Sequence, residues 1–127
     1  MCLGLYLATD EPINSPYDPA VGGLGSIRQL APGEAEEFRA FKKAHLYSIC
    51  FAHRCGCWCE RPSSPLRPAL VKLLQWVLRS VLEVELYTSQ AGQEGSEPNV
   101  RDWCMPTELF YMRVFQGQEL LVVYPDA

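Results

Sequence analysis

The spacing of apolar and polar residues changes several times along the chain, and each spacing predicts a different element. Residues 2–8 are almost continuously apolar, which favours a strand buried on at least one face. From His45 to His53 successive residues alternate between two faces, with Tyr47 and Ile49 on the same one, so this stretch is predicted to be a central strand. Shorter strands are predicted at residues 26–30 and 84–88.

A helical period replaces this alternation between Pro65 and Glu83. Polar residues recur along one side of the predicted helix, while leucines and valines occupy the opposite side. This stretch is therefore predicted to be one long amphipathic helix that covers a sheet. The segment from Glu34 to Lys43 has acids first and lysines last, which complements a helix dipole and predicts a shorter helix. A helical turn is predicted to open at Pro106.

Turn-forming residues separate these elements. Glycine, proline and asparagine concentrate at residues 13–25 and 90–99, which are predicted to be loops. Gln116-Gly117 predicts a tight hairpin turn between two strands, at residues 110–115 and 120–124. Because strands and helices do not repeat as βαβ units, the predicted fold is α+β, with a mixed or mainly antiparallel sheet covered by the long helix and the shorter one.

Composition and charge narrow the classes of function. With 127 residues the chain is predicted to form a single globular domain over residues 1–127. The net charge of −4 and the scattered lysines and arginines argue against a nucleic-acid partner. No basic leader precedes the first apolar stretch, and charged residues interrupt the long helix, so we expect a cytoplasmic protein with no membrane partner.

Candidate chemistry concentrates in residues 53–59, which read His-Arg-Cys-Gly-Cys-Trp-Cys and hold three of the six cysteines. In a reducing cytoplasm such a cluster indicates metal binding, thiol chemistry or burial rather than a disulfide framework. Thiolates bind zinc, copper(I) and iron tightly, and Gly56 lets the backbone wrap around an ion. Cys55 and Cys57 are therefore predicted to be metal ligands, with Cys59 and His53 as second-rank candidates.

The chain also resembles a group of small bacterial proteins that begin with Met-Cys and carry a histidine in a middle strand, a Cys-Gly-Cys and an amphipathic helix. The matching residues are Met1-Cys2, His45-Leu46-Tyr47 and Cys55-Gly56-Cys57. This resemblance implies a constellation of Cys2, His45, Cys55 and Cys57. Three thiolates and one imidazole suit zinc in a closed site, or copper or iron in an open one. The sequence thus predicts a transition-metal-binding protein, with zinc favoured, and assigns no reaction.

Two other functions fit the same residues. Cys55 and Cys57 would be the attacking and resolving thiols of a redox protein, although their spacing differs from the Cys-x-x-Cys of thioredoxin-type enzymes. Alternatively, the cysteines are structural and the region around Trp58 binds a protein partner, as in an immunity or adaptor protein. Cys50 and Cys104 are predicted to be buried fillers in either case.

Overall fold

A computed structural model describes residues 3–13, 24–51, 67–90, 92–111 and 117–126, with the backbone alone at 3, 24–26, 50, 51, 110 and 111. In these ranges six strands form one sheet: β1 (Leu3–Thr9), β2 (Leu24–Gln29), β3 (His45–Phe51), β4 (Val84–Gln90), β5 (Val100–Cys104) and β6 (Glu119–Val123). The same ranges contain three helices: α1 (Pro32–Ala35), α2 (Arg67–Val77) and α3 (Pro106–Tyr111).

The strands lie in the order β2-β3-β1-β4-β6-β5. All neighbouring strands pair antiparallel except β5 and β6, which are parallel. The sheet is therefore mixed and mainly antiparallel, and the fold is α+β, as predicted. Both β1 and β3 are interior strands, because β3 pairs with β2 and β1, and β1 also pairs with β4.

The larger part of the core lies between the sheet and α2, and we call it the helix-side cluster. Five neighbouring strands contribute buried residues to this side, and four of them contribute two alternate residues each, as the period of two requires. There they pack against the buried face of α2 and against Leu109 of α3. Its buried members are Leu5, Leu7, Tyr47, Ile49, Ala69, Leu70, Val71, Leu73, Leu74, Val77, Leu78, Val84, Leu86, Cys104, Leu109, Leu121 and Val123.

A smaller loop-side cluster covers the opposite face of the sheet. Strand residues that alternate with the helix-side set meet Phe38 and other side chains from residues 30–41 there. The rings of Phe38 and Tyr6 lie 4.5 Å apart, and Phe41 contacts Tyr87 edge-on at 5.8 Å. The buried members of this cluster are Ala8, Leu30, Phe38, Ala40, Leu46, Tyr87 and Leu120.

The predicted length of the helix from Pro65 to Glu83 is wrong. The helix α2 has 11 residues and ends at Val77, after which i to i+3 hydrogen bonds tighten the chain into a turn. Leu82, expected on the apolar face, is 89% exposed. The helix stops early because β4 begins at Val84, so the chain must reverse direction within the intervening residues.

The shorter predicted helix, from Glu34 to Lys43, is wrong for most of its length. Only α1 is helical in this stretch, and it begins two residues earlier. Beyond it, Phe38 is buried against the sheet, and the backbone N–H groups of Lys42 and Lys43 donate to the carboxylate of Glu85 at 2.8 Å each. Contacts with the sheet therefore override the local charge pattern.

The predicted hairpin around Gln116-Gly117 is also corrected. Phe110 and Tyr111 belong to α3, and β6 pairs with β4 and β5 rather than with a preceding hairpin strand. The helical turn predicted at Pro106 is confirmed as the start of α3. The pattern gave no sign of β5, because four of its five residues are exposed at the sheet edge.

Candidate functional site

Most of the predicted metal ligands fall outside the part of the chain that the structure describes. The segment between β3 and α2 holds the cysteine cluster, and Cys2 precedes β1. The predictions that lie outside the described residues concern Cys2, His53, Cys55, Cys57 and Cys59. The first residue of β1, Leu3, and the last residue of β3, Phe51, are the described residues that adjoin these two segments of the chain.

The register of the sheet places Leu3 and Phe51 close together. The strands β1 and β3 are antiparallel neighbours with Leu5 opposite Ile49, so Leu3 and Phe51 lie at the same end of the sheet. Cys2 is bonded to Leu3, and Cys55 follows Phe51 by four residues, which span at most about 14 Å. The described residues nearest in sequence to Cys2 and to Cys55 thus lie at this end, which we call the Leu3/Phe51 end.

His45 occupies the other end of β3. It pairs with Thr9 and is half-buried. Six residues separate it from Phe51, or about 20 Å at roughly 3.3 Å per residue. Because a zinc ion lies within about 2.3 Å of each ligand atom, this separation favours a site at the Leu3/Phe51 end without His45. We call the opposite end of the sheet the Thr9/His45 end.

A buried polar network centred on Gln118 stabilises the Leu3/Phe51 end. The side-chain NH₂ group donates to the Tyr87 hydroxyl at 2.6 Å and to the Gln93 carbonyl at 2.8 Å, and the amide oxygen accepts from the Gln90 N–H at 3.0 Å. Burial raises the pKa of Tyr87, although hydrogen bonds from Gln118 and Ser89 oppose this effect. The network joins the loop before β5 to the sheet.

At the Thr9/His45 end, Lys43 bridges two carboxylates. Its ammonium lies 2.7 Å from Asp10 and 3.2 Å from Glu83, and only 9% of its side chain is exposed. Burial lowers the pKa of Lys43, but the two carboxylates outweigh burial and leave the pKa above its ordinary value. Lys43 is therefore a cation that joins the end of β1 to the start of β4, not a nucleophile.

No group of three or more histidine, cysteine, aspartate and glutamate side chains is arranged to hold a metal ion within the described ranges. Cys104 is buried in the helix-side cluster, in accordance with its prediction as a filler. His45 is the only predicted ligand among the described residues.

Sequence reasoning missed the polar residues that fix the loops. Glu85 is 3% exposed in a strand whose neighbours Val84 and Leu86 are fully buried. A carboxylate inside an apolar run of this kind needs a partner when it is buried, which is a signal that the sequence does contain. The network at Gln118 carried no comparable signal, because glutamine after a glycine is also typical of an exposed turn.

Comparison with known proteins leaves the family of the chain open: no protein-family model matches it, and no curated protein or solved structure matches it significantly. Among the described helices, none is both long enough and apolar enough to cross a membrane. The resemblance to the bacterial Met-Cys group remains a prediction from the sequence. A functional proposal must therefore start from the residues and the sheet register.

Proposed function

We propose that this protein binds one transition-metal ion through Cys2, Cys55 and Cys57 at the Leu3/Phe51 end, with zinc preferred over copper or iron. The observation that supports this proposal is the antiparallel pairing of β1 with β3, which brings Leu3 and Phe51, the described residues nearest to the three cysteines in sequence, to one end of the sheet. Thiolate ligands suit zinc and other thiophilic metals. The proposal is limited to binding and includes no reaction.

The fourth ligand distinguishes a closed site from an open one. Cys59 would complete a four-thiolate site, and His53 would complete a site of three thiolates and one imidazole, both of which are common for structural zinc. A water molecule in the fourth position would instead leave the site open to a substrate. A closed site is favoured because two further donors lie within two residues of Cys55 and Cys57.

A metal in this position would stabilise the fold. It would join residues before β1 to the segment between β3 and α2, which are distant in sequence. Because ligands bound to the native state raise its stability, the unfolding temperature should fall when the metal is removed.

The first test is elemental analysis of protein purified anaerobically without a metal-binding tag. We expect about one equivalent of metal in the native protein and none in the Cys55→Ser, Cys57→Ser double variant. Cys104→Ala is the matched control, because it removes a buried thiol near the Thr9/His45 end. Equal metal content in all three proteins, or none in the native protein, would contradict the proposal.

Two single variants test the ligand set. Cys2→Ser should weaken metal retention against a chelator, whereas His45→Gln should leave it unchanged, since His45 lies at the other end of β3. The reverse result would show that the register argument selects the wrong ligands. A native protein without metal but with reactive thiols would support the redox alternative, and one with unreactive thiols would support the Trp58 interaction module.

A further inference from the structure

A groove opens near the Thr9/His45 end of the sheet, away from the proposed metal site. One wall is the segment that follows β1, and the other is the last turn of α2 with the turn after it. The cavity has a volume of about 320 Å³ and is lined by Glu11, Pro12, Ile13, Trp76, Val77, Ser80 and Val81. This volume lies at the lower end of the range for small-molecule sites, which is about 300–1,000 Å³.

The first wall is held in place by hydrogen bonds from β1 and β3. The Thr9 hydroxyl donates to the Glu11 carbonyl at 2.5 Å, and the Ile13 N–H donates to the Tyr47 hydroxyl at 2.8 Å. Pro12 lies between these two anchored residues and has a restricted φ angle. The wall is therefore formed before any ligand binds, which reduces the entropy lost on binding.

The two walls are also joined to each other. Asp10 adjoins the first wall and Glu83 lies two residues after Val81 in the second, and both carboxylates contact the ammonium of Lys43. This pair of ion pairs links the chain segments that adjoin the two walls. Val77 is a member of the helix-side cluster, and Ile13 packs against it, so the floor of the groove belongs to the core.

The lining combines polar and apolar surface in about equal parts and carries one charge. Five of the seven lining residues have hydrocarbon or aromatic side chains, and the two polar side chains are those of Glu11 and Ser80. Arg79 is exposed and precedes the lining residue Ser80 in the sequence, but it does not line the groove. Glu11 is the one charged residue among the described lining residues, so the charge of the lining favours a cation.

We propose that the groove binds a small organic cation, namely an ammonium ion that carries a short aliphatic or aromatic group. The ammonium would lie beside Glu11 and the indole of Trp76, since aromatic rings attract cations. The apolar group would pack against Ile13, Val77 and Val81. An anion would be repelled by Glu11, and a neutral apolar molecule would desolvate that carboxylate without a partner. The site shares no residue with the proposed metal ligands.

The test compares three probes of similar shape and different charge: 2-phenylethylamine, 2-phenylethanol and 3-phenylpropanoate. We expect the amine alone to bind saturably, with NMR shifts of backbone amides at residues 11, 13 and 76–81. Fluorescence in a Trp58→Phe, Trp103→Phe background reports on Trp76, because the chain has three tryptophans. The proposal is overturned if the alcohol binds as tightly as the amine, or if no probe shifts these amides.

Charge variants locate the site. Glu11→Gln should weaken binding of the amine about fivefold or more, because it removes the carboxylate that faces the ligand. Glu36→Gln is the matched control, since it makes the same change in net charge at an exposed position after α1. An equal loss of amine affinity in both variants would mean that only long-range charge attracts the amine, and it would overturn the proposed site. Metal content, measured in parallel, should be the same in both variants, so this result and that of the metal proposal are independent.

Discussion

The two faces of the sheet are covered by different means. On the helix side, α2 and α3 bury a mainly apolar surface, and seven of the eleven residues of α2 are buried. The one charged group among these seven, the guanidinium of Arg67, donates to the Leu109 carbonyl at 2.6 Å. On the loop side, a non-helical segment crosses the sheet, and Glu85 holds its backbone by two hydrogen bonds. Burial is non-directional, whereas these hydrogen bonds require particular atoms. The helix side should therefore depend on side-chain volume and the loop side on individual polar groups.

Truncation of a core leucine on each face tests this difference most strongly. Leu73→Ala in α2 should lower the free energy of unfolding by about 3–5 kcal/mol, because the site is fully buried and packed on all sides. Leu46→Ala should cost about 2 kcal/mol, because Leu46 is 8% exposed and its covering segment can adjust. Urea unfolding of both variants measures the difference, and equal losses would show that the two faces are equally rigid.

The origin of these faces shows how far the sequence predicts the fold. The alternation in β3 correctly assigned Tyr47 and Ile49 to one face and Leu46 to the other, since period two is a local property of a strand. Helix lengths were wrong because the segment after α1 is held by Glu85, which is distant in sequence, and because α2 ends where the chain turns into β4. Exposed β5 was missed, because an edge strand does not need an apolar face.

The candidate sites also combine features that are local in the sequence with features that depend on the tertiary structure. The spacing of Cys55 and Cys57 is local, so the sequence alone could indicate a soft-metal site there. The separation of His45 from the Leu3/Phe51 end depends on the strand register, which the sequence did not give. The groove was not predictable, because Glu11 and Trp76 are brought together only by the packing of α2 on the sheet.

Removal of the Glu85 carboxylate should detach the loop-side segment. Glu85→Ala is expected to cost about 2–3 kcal/mol, because two part-buried N–H groups lose a charged acceptor, and Glu85→Gln should cost less. Hydrogen exchange should accelerate at the amides of Lys42 and Lys43 before it does in α2. Unchanged exchange at these amides in Glu85→Ala would show that the apolar contacts of the segment are sufficient to hold it.

Gln118 offers a smaller test that separates hydrogen bonding from backbone strain. Its φ of 61° lies in the left-handed region, and its side chain bonds to Tyr87 and Gln93. Gln118→Ala should cost about 1–2 kcal/mol, whereas Gln118→Gly should cost less, because glycine adopts positive φ without strain. Thermal unfolding compares the two variants. A glycine variant less stable than the alanine variant would mean that strain at this position is negligible.

The smallest expected effect concerns the polar clamp that closes the helix side. The Asp126 carboxylate accepts hydrogen bonds from the Thr107 N–H at 3.1 Å and hydroxyl at 2.6 Å, and from the Gln75 side chain at 3.0 Å. It thereby joins the first turn of α3 to α2 and the C-terminal residues. Partial burial raises the pKa of Asp126, but the hydrogen bonds from Thr107 and Gln75 outweigh it and leave the pKa below its ordinary value.

The sign of the pH dependence follows from this lowered pKa. A carboxyl group that is more acidic in the folded state stabilises it fully above the unfolded pKa, about 3.9 for aspartate, and this contribution is lost as the pH falls through the lower folded pKa. Asp126→Asn should therefore reduce stability by less than about 1 kcal/mol at pH 7, because the group is largely exposed and screened. The difference from the native protein should shrink in urea titrations as the pH falls below about 4, while the control Glu36→Gln should differ little at any pH. A difference that persists unchanged into acid would mean that the clamp acts through geometry rather than charge.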